Sequence, residues 1–242
     1  VHELKRLSDR WKYREQEFKA FKIVNELVRS PLIRSKTHMN LSILLLVFMF
    51  IFETSANSSL LLGAVAGGLL GAIATAIVVS FINIMCSFLV GRMSLPQLNH
   101  VDSNRRTRAK IVIAIYVPII FYFNFAMGVF RSASEIALAQ FSEQAALMAA
   151  QNAVAPFNNL GDLTFTSAGL IATGLIFALV ALIDGYKYDD ESPGYGNIAR
   201  KHKNAMDILD QEIKTAKSKL DNERKRGTKK LNDFKNKRIN AN

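Results

Sequence analysis

LLLGAVAGGLLGAIATAIVVSFINIMCSFLVGR, residues Leu60 to Arg92, is the stretch that decides the fold class. It carries no charge before Arg92 and exceeds the roughly 20 apolar residues that cross a bilayer core. Gly63, Gly67 and Gly71 recur every four positions. On a continuous helix they share one face, where a second helix can approach closely. The spacing therefore predicts one long membrane helix that packs through glycine. At about 32 residues it would measure roughly 48 Å against a hydrocarbon core of about 30 Å. Tilt absorbs only part of that excess. With Arg92 at the inner interface, the glycine face is expected at or beyond the outer one, against exterior segments or neighbouring subunits.

The rest of the chain is built in the same alternating manner. Of its 242 residues 50% are hydrophobic, yet the net charge is +11. Ten of the 31 Lys and Arg precede residue 37, five lie between Arg92 and Lys110, fifteen follow Tyr186, and Arg131 stands alone. A soluble enzyme scatters its charge, whereas apolar blocks separated by basic ones mark a multi-spanning membrane protein. The one cysteine, Cys86, sits in an apolar run and excludes an intrachain disulfide or a cysteine metal site. The first apolar run begins only near Leu41, behind a charged segment, unlike a cleavable signal peptide.

Residues 1–36 read as an amphipathic, coiled-coil-like cytoplasmic helix. Leu4, Leu7, Trp11, Arg14, Phe18, Phe21, Asn25 and Val28 keep a 3–4 spacing, and Pro31 is the expected breaker. Residues 37–186 hold four apolar runs: Leu41–Phe52 with its flanks, Leu60–Arg92, Ile111–Phe130 with Pro118 inside, and Leu163–Ile183. Thr54 to Ser59 reads as an exterior turn. Residues 131–164 read as an exterior helical segment. Ser132 and Glu135 fit a capping box that would start it, Leu138, Phe141, Ala145 and Met148 supply its stripe, and Pro156 to Gly161 its exit. Residues 187–242 form a basic cytoplasmic helical tail with Met206, Leu209, Ile213, Ala216 and Leu220 at 3–4 spacing. Both tails and the 92–110 loop on one side would put 30 of the 31 Lys/Arg in the cytoplasm, and four crossings satisfy the parity.

Three groups of residues are candidates for chemistry. Glu53, Asn83 and Asn124 are polar intrusions in the first three spans. They could line a pore or ion path, or serve as interhelical hydrogen-bonding groups. Asp184, Asp189, Asp190 and Glu191 form a juxtamembrane acidic cluster with hard oxygen ligands, although their spacing is not that of an EF-hand loop. A plainer role for these acids is pairing with Arg105, Arg106 and Arg108. Gly63, Gly67 and Gly71 are the helix-packing candidates. No GxxxxGK[ST], HExxH or GxSxG motif occurs, and the four histidines fall in separate segments. No cofactor, resident metal or catalytic residue is expected.

The expected architecture is all-α, an integral membrane protein of the bacterial inner membrane with both termini cytoplasmic. The function expected from it is that of a non-enzymatic subunit of an oligomeric membrane complex. Its partners would be lipids, copies of itself and a cytoplasmic protein; without interleaved aromatics, the basic tail does not argue for nucleic acid. The alternative is an ion-conducting pore or membrane-permeabilising effector, as found in bacterial defence. A small secondary transporter ranks third, for want of an internal repeat.

Overall fold

The computed structural model describes residues 2–62, 65, 67–139, 142–154 and 163–239. All regular structure among them is helical. Seven α-helices follow in order: α1 (His2–Val24), α2 (Lys36–Leu61), α3 (Gly68–Met93), α4 (Ser103–Leu138), α5 (Glu143–Val154), α6 (Phe165–Lys187) and α7 (Tyr195–Ile239), with a 3-10 turn at Leu95–Asn99. Four of them, α2, α3, α4 and α6, are long and apolar enough to cross a membrane. The chain divides into two units, one of residues 1–31 with 197–242, the other of residues 32–196.

In the larger unit the long apolar stretch is not one helix. α2 runs on to Leu61, and α3 starts only at Gly68. Gly67, with φ of 87°, is the N-cap of α3, and its carbonyl accepts the amide of Gly71 at 3.3 Å. Gly68 has φ of 58°, again in the left-handed region that glycine enters without steric cost. Gly67 therefore marks the break before α3 and Gly71 lies in that helix's first turn, so the repeat does not lie on one continuous helix from Leu60; Gly63 lies outside the described residues. The length excess falls by about half as well, because α3 is 26 residues, or about 39 Å. Conversely, the Thr54–Ser59 stretch is the last part of α2, not a turn. Ser55 and Ser58 bond the carbonyls of Ile51 and Ser55, and Asn57 bonds Ser80 of α3, while the buried Thr54 hydroxyl has no hydrogen-bond partner among the described residues.

Close helix approach occurs elsewhere, between α3 and α6. A Cβ on Gly91 would lie 2.1 Å from the backbone oxygen of Leu182, and one on Gly185 would lie 2.2 Å from that of Phe88. The buried faces are correspondingly small-grained: Ala72, Ala76, Ser80, Ser87 and Gly91 on α3, Gly174, Ala178, Ala181 and Gly185 on α6. Small side chains bring backbones together, and in lipid this dispersion contact replaces the missing hydrophobic drive. Larger residues fill the flanks, with Met49, Ile84, Phe88, Ala181 and Tyr188 forming one buried cluster. Outward, residues such as Leu44, Phe48, Leu70 and Ile176 stay exposed, consistent with an apolar surrounding.

The third span is longer than its hydropathy suggests. α4 continues through Pro118 and past Arg131 to Leu138, so no helix begins at Ser132. Ser132 and Glu135 instead act across helices. The Ser132 hydroxyl accepts from the amide of Thr164, and Glu135 accepts from the hydroxyls of Thr164 and Thr166 at the N-terminus of α6. α5 packs on α4. Its covered face is Ala146, Ala150 and Ala153, not Ala145 and Met148, which are exposed; Phe141 and the 155–162 exit lie outside the described residues.

In the smaller unit, the α1 stripe from Leu4 to Asn25 is half-buried, and Phe18 stacks on His202 of α7 with ring centroids 5.2 Å apart. α1 ends well before Pro31. Glu26, at φ of 52°, lets the amide of Leu27 reach the carbonyl of Lys22 and its own amide that of Ile23, a Schellman-type stop. Val28 is left 96% exposed beyond it.

The contrast between glycines is testable. Gly185→Ala must push α3 from α6 and is expected to lower the unfolding free energy in detergent by about 1–3 kcal/mol. Gly227→Ala, in an exposed helix with nothing near, should be neutral or stabilise α7 by up to about 1 kcal/mol. Equal losses for both would contradict the packing described.

Candidate functional site

Each of the three polar intrusions sits on the buried face of its helix. In α2 that face runs through Ser42, Met49, Glu53, Asn57 and Leu61, the i, i+4 rows of an amphipathic helix. In α3 it includes Ser80, Asn83 and Ser87, and in α4 Ile120, Asn124 and Gly128. Sequence reasoning could place these residues one per span. The structure brings all three together, in one cluster that α6 completes with a backbone carbonyl.

Asn83 is the centre. Its Nδ2 donates to Glu53 Oε1 at 2.8 Å and to the carbonyl of Gly174 at 2.7 Å. Its Oδ1 accepts from Asn124 Nδ2 at 3.0 Å, and Asn124 Nδ2 also donates to the carbonyl of Ile120 at 2.9 Å. Backbone carbonyls can only accept, so Gly174 and Ile120 fix which end of each amide is NH2. Both hydrogens of each NH2 are then used. Four helices meet at one carboxamide: Glu53 from α2, Asn83 from α3, Asn124 from α4 and Gly174 from α6. Gly174 is required there, since a Cβ would fall 1.9 Å from Asn124 Oδ1.

Around this centre lies a second ring that the sequence reading missed. Asn57 donates to Ser80 at 3.1 Å, Tyr116 donates to Ser87 at 2.7 Å, and Ser87 bonds the carbonyl of Asn83. Serine on a hydropathy plot is nearly silent; the signal available was its recurrence with Asn83 at i−3 and i+4 on α3. Glu53, Ser80, Asn83 and Ser87 have no exposed surface, and Asn57 and Asn124 have 3% and 5%. Glu53 Oε2 is the exception to satisfaction, a buried oxygen without a hydrogen-bond partner among the described residues. Such a group is costly to bury.

The acidic cluster is structural in its visible contacts. Asp184 accepts from Ser42 at 2.5 Å, tying α6 to α2. Asp190, 3% exposed, accepts the amides of Leu32 and Ser192, both at 2.7 Å. This pins the entry of α2 to the loop after α6. Asn99 donates to the carbonyl of Glu191 at 3.1 Å. Asp189 borders a cleft of about 250 Å³ with Arg92, Gln97 and Tyr186. The basic loop residues proposed as partners are engaged locally: Arg105 lies 3.9 Å from Asp102, and Arg106 donates to the carbonyl of His100. Arg92 covers the ring of Tyr188 at 4.2 Å, a cation–π contact.

Comparison with known protein families, with characterised proteins and with solved structures gives no match. The reading of the site therefore rests on its geometry.

Removing the central amide should be felt more than removing a peripheral one. Asn83→Leu leaves Glu53 and one Asn124 hydrogen without partners, an expected loss of about 1–3 kcal/mol. Asn57→Ala removes one hydroxyl contact and is expected to cost about 0.5–1.5 kcal/mol. Detergent unfolding curves that order the two the other way would contradict the central role of Asn83.

Proposed function

We propose that the chain is a non-enzymatic subunit of an oligomeric assembly in a bacterial inner membrane. The bundle α2, α3, α4 and α6 anchors it, and the helical extensions α1 and α7 engage a cytoplasmic protein. The observation that carries this reading is the sealed hub. The spans spend most of the hub's polar groups on one another, which holds the helices in register. The distribution of charge supports the orientation, with 30 of 31 Lys/Arg in segments that share one side when all four spans cross. A shallow apolar groove of about 390 Å³ between Ile43, Leu46, Val47 and Phe50 of α2 and Phe81, Ile84, Met85 and Phe88 of α3 supports packing against a neighbouring copy. Unlike the cores of soluble proteins, it faces outward from the bundle.

A second reading, an ion-conducting pore or permeabilising effector, is favoured by one specific observation. Glu53 Oε2 is buried and unpartnered among the described residues, and intramembrane carboxylates often mark ion paths. The path would then open only when the hub parts.

Reconstituted protein separates the two. The subunit reading predicts an oligomeric mass in native lipid, no ion leakage, and a co-purifying protein that is lost when residues 197–242 are deleted. Leakage that Glu53→Gln abolishes would contradict it and favour the pore.

A further inference from the structure

α7 is covered along only part of its length. Ala205 is 6% exposed and Ile208, Leu209 and Ala216 are half-buried, whereas every described side chain from Lys217 to Asn236 is exposed. Helix α1, at 23 residues or about 35 Å, is little more than half the length of α7 at about 67 Å. Along the uncovered half, Leu220, Leu231 and Phe234 are 71%, 74% and 74% exposed. At 100° per residue these three fall within about 60° of one another, an apolar stripe on one face. Residues 217–236 also contain eight Lys/Arg against three Asp/Glu. Lys217, Arg224 and Lys235 lie along one edge of the stripe, Glu223 and Lys230 along the other, and Lys225 and Lys229 behind it.

We propose that the distal half of α7, residues 217–236, is an amphipathic membrane-surface helix that docks on anionic lipid headgroups, with Leu220, Leu231 and Phe234 entering the acyl boundary. Three features select this occupant. The apolar stripe needs a low-dielectric surface, while its basic flanks need phosphate; long Lys and Arg stems can cover apolar surface and still reach headgroups. A second copy of the same helix would set eight cations against eight, and no apolar side chain stands between Leu220 and Leu231 for a coiled coil to bury. The helix is also covalently joined to a bundle with four span-length helices, so a bilayer is present at high effective concentration. Charge segregation puts α7 on the cytoplasmic side, where anionic lipids give the surface its negative potential. The inference rests on the membrane embedding and orientation proposed above, and is independent of the protein-partner reading.

The test uses the full chain with Cys86→Ala, carrying a spin label at Phe234→Cys or, on the opposite face, at Lys229→Cys. Each is reconstituted into vesicles of phosphatidylcholine alone or with phosphatidylglycerol. Collision with oxygen reports the acyl region, and collision with a water-soluble nickel chelate reports the aqueous phase. The proposal predicts that the label at 234 gains oxygen contact and loses nickel contact only when phosphatidylglycerol is present, and that the label at 229 keeps its nickel contact. High salt, or Gln at Arg224, Lys225, Lys229 and Lys230 in the 234-labelled chain, should reverse the change. A 234 label that stays water-exposed in both vesicles overturns the proposal. So does one shielded equally in both, which would indicate a second copy or a bound protein. Extraction of the chain from both vesicles by alkaline carbonate would overturn the embedding reading together with this one.

Discussion

The carboxamide of Asn83 is the interaction on which the bundle depends. It is one of the few groups that can give two hydrogens and take one at a single point. Here it gives them to a carboxyl group on α2 and a backbone carbonyl on α6, and takes one from α4. In a medium without water such bonds have no competitor, and a partner lost is not replaced. Average gains per bond between membrane helices are modest, about 0.6 kcal/mol. The arrangement is therefore best understood as specifying one rotation and depth for each helix, with packing supplying the bulk of the attraction.

That packing is set by absence of side chain. Gly174 makes room for Asn124, while Gly91 and Gly185 let α3 and α6 touch backbone to side-chain-free backbone. The polar hub and the small-residue seam lie on the same pair of helices. A shift large enough to relieve a clash at the seam would also pull Gly174 away from Asn83. Sterics and hydrogen bonding thus constrain the same degree of freedom. At the end of the unit where Gly91 and Gly185 meet their partners, Asp184 and Asp190 tie the exit of α6 to the entry of α2. The bundle is closed in chain order as well as in space.

The four span-length helices and the three residues of the hub were legible from the sequence, because a polar group in an apolar run must find a partner inside. The hairpin between α2 and α3 was not. The break before α3 falls at Gly67 and Gly68, in an apolar run that hydropathy cannot distinguish from helix, and the glycine repeat imitates a packing face. The polar Thr54–Ser59 stretch misled in the opposite sense. Asn57 belongs to the hub's outer ring and needs α2 to stay helical. Ser132 and Glu135 have the spacing of a capping box, yet they serve the start of α6 about 30 residues away. Local spacing identifies groups able to cap and leaves open which helix end they meet. The bond from Leu32 to Asp190 spans 158 residues and has no local signature at all.

A double-mutant cycle between Glu53→Leu and Asn124→Leu tests the central claim most directly, because each side chain bonds to Asn83 from a different helix. Unfolding free energies in detergent should show a coupling of about 0.5–3 kcal/mol, and the coupling should vanish when Asn83 is Ala. Losses that add to within about 0.3–0.5 kcal/mol with Asn83 present would contradict it. The four helices would then be held by packing alone.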